Sequence, residues 1–258
     1  RDLWIAYLSY KFSEYNAVAD LYYTGENDKA ALSTNAALGT DANITHTIGG
    51  RVQFDPISQI TLGAELAYQF GDYSGIVSQQ RDRSAMALDL FGTYRFENPW
   101  KPEITLEYVH LSGENDLSTT TASDYESWNG SFRGPVYGWY HDYKEVYWTT
   151  SSGGDQAAGQ NQNHISVTGA INPLEDLKLV GTYYYFWGDE DYHTTPADAT
   201  TAVLSDEIGQ EIDLTATYAY TEDVSFGFMA VWFVPGSLYV SPGDDTASEY
   251  VSSVKVVF

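Results

Sequence analysis

Hydrophobic and polar residues alternate position by position along most of this chain. The pattern is clearest from Ile212 to Val234. There Ile212, Leu214, Ala216, Tyr218 and Tyr220 interleave with Asp213, Thr215, Thr217 and Ala219. After a tight Thr221-Glu222-Asp223 turn, Val224, Phe226, Phe228, Ala230, Trp232 and Val234 interleave with Ser225, Gly227, Met229, Val231 and Phe233. A period of two sends successive side chains to opposite faces of an extended strand. The stretch therefore predicts a long hairpin with one continuous apolar face and one mixed face. Each arm runs about ten residues, the length a tilted strand needs to cross a bilayer's hydrocarbon. A soluble sandwich more often uses shorter strands.

The same alternation recurs from the start of the chain. Trp4, Ala6, Leu8, Tyr10 and Phe12 form one face of a first strand, and Ala17, Ala19, Leu21 and Tyr23 return after a Ser13-Glu14-Tyr15 turn. Ile44, His46, Ile48, Gly50, Val52 and Phe54 lead to a turn at Asp55-Pro56, and Ile60, Leu62, Ala64, Leu66, Tyr68 and Phe70 come back. Met86, Leu88, Leu90, Gly92, Tyr94 and Phe96 precede a turn at Glu97-Asn98-Pro99-Trp100, followed by Ile104, Leu106, Tyr108 and His110. Ile165, Val167, Gly169 and Ile171 run into Asn172-Pro173, and Leu177, Leu179, Gly181, Tyr183, Tyr185 and Trp187 return. The last strand places Tyr250, Ser252, Val254, Val256 and Phe258 on one face. A final Phe after alternating apolar residues resembles the closing strand of bacterial outer-membrane barrels.

Short turns alternate with long polar loops at 25–41, 71–83, 112–163, 188–205 and 235–247. This asymmetry separates the periplasmic from the extracellular end of an outer-membrane barrel. The expected fold is all-β, an antiparallel up-and-down transmembrane β-barrel, with residues 1–258 as a single domain. Within it, 112–163 is a long loop that is either extracellular or folded into the lumen. The count is eleven strands. Closed single-chain barrels use an even number, so at least 12 strands are expected in the complete wall, with one or more lying before Arg1 or a further pair inside the long loop.

Composition narrows the classes. Tyr, Phe and Trp number 22, 11 and 7, an aromatic-rich chain. No window approaches the roughly 18 consecutive apolar residues of a membrane helix. A membrane barrel is not excluded by this, because its strands hide half their residues from lipid. There is no cysteine, hence no disulfide framework and no thiolate metal site. The net charge of −24 argues against nucleic acid, which demands a basic face. No basic, apolar leader stands at Arg1.

Three stretches carry a family resemblance: KPEITLEYVHLSGEND from Lys101, NPLEDLKLVGTYYYFWGDEDY from Asn172, and EIGQEIDLTATYAYTEDVSFGFMAVWFVPG from Glu207 with the Phe-terminated strand. Together they resemble the alginate export family of outer-membrane porins over Lys101 to Phe258. The first hundred residues fit as generic barrel strands. The resemblance implies a barrel of about 18 strands in the outer membrane of a Gram-negative envelope. It also implies passage of a polyanionic polysaccharide or a similar polar solute.

The face opposite the apolar one supplies the expected pore lining. It carries Lys11, Arg51, Arg95, Lys178 and Lys255 against Asp20, Glu65, Asp89, Glu107, Glu211 and Asp213. A polyanion conduit is expected to present a basic constriction; the signs here balance, which suits a less specific porin. The structural alternative is cross-strand pairing that holds the wall, with Arg95 and Glu107 meeting diagonally. In the 112–163 loop, Trp128, Arg133, Tyr137, Trp139, Tyr140 and Lys144 suggest a constriction whose rings stack on sugars. An outer cap packed on itself or on a partner is the alternative.

The acidic clusters GENDK, GENDL, GDEDY and PGDDT hold oxygens of the kind calcium takes, without EF-hand spacing. Solvated turns are the expectation, with no cofactor. His46, His110, His141, His164 and His193 show no paired ligand spacing, and Ser166 near His164 belongs to no nucleophile motif. The sequence therefore predicts no enzyme. It predicts a passive porin for polar or saccharide solutes, set in a lipid bilayer. The alternative is a barrel acting as scaffold or sheath in an envelope complex, its lumen filled by a partner protein.

Overall fold

Each run of alternating residues becomes a strand, and consecutive strands pair antiparallel with their neighbours in the chain. The computed structural model describes residues 2–28, 43–74, 80–114, 124–130, 138, 160–194, 203–239 and 244–258. The strands are β1 (Asp2–Phe12), β2 (Ala17–Asp28), β3 (Asn43–Ile57), β4 (Ile60–Ser74), β5 (Gln80–Arg95) and β6 (Glu103–Leu111), followed by β7 (Gln162–Leu174), β8 (Leu177–Thr194), β9 (Val203–Ala219), β10 (Val224–Pro235) and β11 (Ala247–Val256). They form one 11-stranded sheet in the order β1 to β11, with β1 and β11 at its edges. Among the described residues no helix is long and apolar enough to cross a membrane.

The strands outrun the predicted ones at the long-loop end. β8 and β9 take in much of the expected 188–205 loop and reach Thr194 and Val203, while β4 and β5 reach Ser74 and Gln80. Register continues because the alternating pattern does; Arg81, Arg83 and Ala85 share a face with Asp89.

Two turns depart from their predicted positions. Asp55-Pro56 and Asn172-Pro173 are not turn centres. Pairing resumes beyond them, Ile57 with Ile60 and Leu174 with Leu177, leaving Ser58-Gln59 and Glu175-Asp176 as the turns. The ladder shifts between Phe54 and Ile57 and between Ile171 and Leu174. Proline lacks the N–H that a ladder position uses, so it sits in a bulge. These turns also lock neighbouring hairpins together. Arg95 N donates to Gln59 O at 2.8 Å, Ala219 N to Asp176 O at 2.8 Å, and Val257 N to Asp223 O at 2.9 Å.

One face of the sheet is apolar and open. Leu8, Leu21, Ile48, Leu66, Leu90, Leu106, Leu214 and Phe228 are all exposed on it. Aromatic groups bound this belt at both ends. At the short-turn end Tyr10 meets Phe12 and Tyr94 meets Phe96, with centroids 4.6 and 4.7 Å apart. At the other end His46 stacks on Phe70 at 5.1 Å and accepts or donates a 2.7 Å bond with Tyr23, while Trp232 meets Tyr250 at 5.8 Å. An exposed apolar band between two aromatic girdles is the outer surface of a membrane barrel.

Candidate functional site

The opposite face is where polar side chains collect. Register places Lys11, Asp20, Arg51, Glu65, Asp89, Arg95, Glu107, Lys178, Glu211, Asp213 and Lys255 on it together. They are not evenly presented. Asp20, Glu211 and Asp213 are buried, and Glu65, Asp89 and Glu107 are half-buried. Arg51, Arg95 and Lys178, all on interior strands, are exposed. The short carboxylates lie close against the wall, while the longer cationic chains keep more of their surface exposed.

Two register rows organise the face. Asp20, Arg51, Glu65 and Asp89 stand opposite one another across β2 to β5. Thr61, Thr93, Thr105, Thr168 and Thr182 form a second row from β4 to β8, ending at Asp213 on β9. Thr93 and Thr105 share a hydrogen bond of 2.8 Å, Thr168 and Thr182 one of 3.1 Å. β-branched hydroxyl residues suit a strand facing water, since they favour the pleat and satisfy each other.

Arg95 does not meet Glu107. It lies opposite Glu103, with Nε 3.9 Å from Oε2, and its Nη1 donates to Thr61 at 2.9 Å. Direct register neighbours stand closer than diagonal ones, which decides the pairing. Glu107 instead accepts from Ser166 Oγ at 3.3 Å and lies 3.7 Å from His164 Nε2. The carboxylate thus stands between hydroxyl and imidazole. A nucleophile triad needs the imidazole in the middle.

The described parts of the 112–163 loop lie on this polar face. Tyr125 bridges Arg83 in parallel, and Asn129 exchanges two bonds with Gln69, its N–H donating at 2.7 Å and its carbonyl accepting at 3.1 Å. Asn129 Nδ2 also donates to Thr45 at 3.1 Å and Glu26 at 3.3 Å. Gly138 sits beside Glu211 and Phe186 on the far side, at positive φ (74°). Phe186, Ile208, Phe233 and Leu238 form an apolar cluster there. The backbone N–H of Trp128 donates to Ser112 O at 2.9 Å. Arg133, Tyr137, Trp139, Tyr140 and Lys144 lie outside the described residues.

At the long-loop end, beyond the membrane, burial and the neighbouring Asp189, Glu126, Asp191 and Glu114 push the Glu190 carboxyl above its ordinary range. Among the described residues no three His, Asp or Glu side chains group as around a metal ion.

Glu26, Arg81, Arg83, Glu103 and Asn129 belong to this face and escaped the sequence reading. For Arg81 and Arg83 a signal existed, because alternation continues back from Arg95 through Asp89 without a break. Asn129 left none.

A model of the alginate export family matches residues 4–253. The chain belongs to the alginate export family. The match takes in the first hundred residues as well as the part from Lys101 onward, so the family pattern is wider than the motifs alone revealed. As a member of that family, with a lipid-facing surface and a polar one, this sheet is wall from an outer-membrane β-barrel.

Among solved structures, the alginate export chain is similar to Pseudomonas aeruginosa OccK5 (OpdH) at 11% identity and a TM-score of 0.47, covering 99% of this chain and 58% of that one. It is also similar to a mutant of the ferric enterobactin receptor PfeA from Pseudomonas aeruginosa, at 10% identity and a TM-score of 0.43, covering 98% and 38%. For the P. putida toluene transporter TodX the values are 11% and 0.38, covering 99% and 69%. No curated protein sequence matches. The chain thus spans little more than half the length of OccK5.

Proposed function

We propose that the complete protein is an outer-membrane channel that passes polar solutes, saccharide chains among them, by passive diffusion. The observation that carries this reading is the division of the sheet. Every strand turns an apolar row to one side, and the other side holds charges and hydroxyls from β1 to β11. In porins a polar interior of this kind surrounds a water-filled channel. Lipid tolerates no open sheet edge, so in the membrane the edges of β1 and β11 are paired.

The inward charges Lys11, Asp20, Arg51, Glu65, Asp89, Arg95, Glu107, Lys178, Glu211, Asp213 and Lys255 line this channel. Membership of the alginate export family and the exposure of Arg51, Arg95 and Lys178 on the polar face support an anionic or hydroxyl-rich solute. Rings of positive side chains lower the barrier for anions. Loop 112–163 narrows the path, a reading supported by the contacts of 124–130 and Gly138 with the polar face.

Single-channel recording in planar bilayers tests the proposal. Discrete conductance steps that persist in the purified protein are expected. A sealed lumen overturns passive transport, and a lumen that opens only when a co-purified protein is stripped away assigns the barrel to a sheath role instead.

A further inference from the structure

Above Leu111, the last residue of β6, strand β5 loses its neighbour: Ala87 pairs with Leu111, but β5 continues to Gln80. Segment 124–130 takes the vacant place. Tyr125 N donates to Asp82 O at 2.7 Å and Ser84 N to Tyr125 O at 2.9 Å, a parallel bridge to Arg83. From that edge the segment turns across the polar face. Ser127 O accepts from Arg83 Nη1 at 2.9 Å, on β5. Asn129 then reaches Gln69 on β4, Thr45 on β3 and Glu26 on β2. Strands lie about 4.8 Å apart, and an extended residue advances about 3.3 Å. Four residues therefore advance about 13 Å, a little under three strand spacings, and the Asn129 side chain supplies the remaining reach to β3 and β2.

The ring of Tyr125 holds this strap in place. It stacks on Tyr73 with centroids 3.5 Å apart and planes 5° from parallel, and it is buried. Arg83 lies 5.1 Å from the Tyr125 centroid and 5.4 Å from that of Tyr73; Arg81 lies 5.5 Å from Tyr125. Arg81 further donates to Glu114 at 3.0 Å and to Asp124 O at 2.6 Å, and Glu114 accepts from Glu126 N at 3.1 Å. At the root, Ser112 Oγ accepts from Met86 N at 2.9 Å and donates to Glu126 O at 2.7 Å.

The strap therefore covers two cations. The Arg81 side chain is only 12% exposed, and Arg83 only 5%. Asp124 on the strap is exposed in their stead. We propose that segment 124–130 is a selectivity strap at the long-loop mouth of the channel. Latched by Tyr125, it withholds Arg83 from solutes and presents carboxylate; unlatched, it offers the Arg83 guanidinium to anions, while Arg81 keeps its ion pair with Glu114. Tyr125 is a positioning residue and Arg83 determines specificity. This inference rests on the channel reading above.

The test uses the complete barrel in planar bilayers under a KCl gradient, with proteinase K digestion of the folded protein in vesicles as a second measurement. Tyr125→Ala is expected to raise conductance, to shift the reversal potential toward chloride by raising the anion-to-cation permeability ratio about threefold or more, and to open a new cleavage within 124–130. Tyr125→Phe, which keeps the stacked ring, is expected to behave as the parent. Adding Arg83→Gln to Tyr125→Ala should restore the parental reversal potential while conductance stays high. A conducting parent whose conductance and reversal potential are unchanged by Tyr125→Ala overturns the strap and leaves the channel standing. A parent without conductance overturns the channel; cleavage in 124–130 of the parent itself overturns the latch whether or not it conducts.

Discussion

Tyr22 on β2 reaches across β3 to donate a 2.7 Å hydrogen bond to Glu65 on β4, and its ring lies over Gly49 on the strand between. A methyl group at Gly49 would run into that ring. Phe91 covers Gly63 in the same manner on the next pair of strands. The glycines are therefore floor for aromatic rings on the polar face, a role independent of backbone conformation.

Gly49→Ala should displace the Tyr22 ring and break its bond to Glu65, costing about 1–3 kcal/mol through overpacking. Tyr22→Phe, which keeps the ring and loses only the hydroxyl bonded to a carboxylate, should cost about 1.5–3 kcal/mol. Urea unfolding from lipid vesicles measures both. Equal stability of Gly49→Ala and the parent would show that the ring has room to move.

Arg51 and Val52 are adjacent, both exposed, and point to opposite faces. Because the chain has no cysteine, one introduced thiol reports alone. Arg51→Cys should react with a charged maleimide in proteoliposomes at least about tenfold faster than Val52→Cys, since the thiolate that attacks forms only in water. Comparable rates would contradict the separation of wet and lipid faces.

Asp55 lies at the short-turn end, past the membrane. Hydrogen bonds from Thr61 and Asn16, together with the nearby Arg95, hold its carboxyl below the ordinary range. A lowered folded value means the stabilisation is complete above the unfolded carboxylate value of about 4 and fades as pH falls through the folded one. Denaturation midpoints of the parent should drop between neutral and strongly acidic pH by more than those of Asp55→Asn. Parallel curves for the two proteins would remove Asp55 from the acid response.

Leu66 stands in the middle of the exposed apolar belt, paired with Gly50 and Leu88. Leu66→Arg should cost about 2–4 kcal/mol, the penalty of a cation near the bilayer midplane. The same change at Tyr220, exposed in the turn after β9, should cost less than about 1 kcal/mol. Reversible folding into vesicles gives both values. Equal costs would mean the belt does not lie in hydrocarbon.

What the sequence determined by itself is everything that alternation encodes. With a side-chain period of two, a residue's face follows from its neighbours, and Phe226 with Phe228 and Asp213 with Glu211 were separable before any partner was known. Strand number and order were legible for the same reason, since hairpins join segments that adjoin in the chain. The tertiary structure decided what depends on distant residues. Register put Arg95 against Glu103 and away from Glu107, because a bulge or a turn shift of one residue re-pairs a whole ladder. Prolines at Pro56 and Pro173 fell in bulges because the following residues could still pair. The covering of Arg81 and Arg83 by Tyr125 joins residues more than forty positions apart, with no period to announce it; it exists only because β6 ends below β5 and leaves an edge to fill.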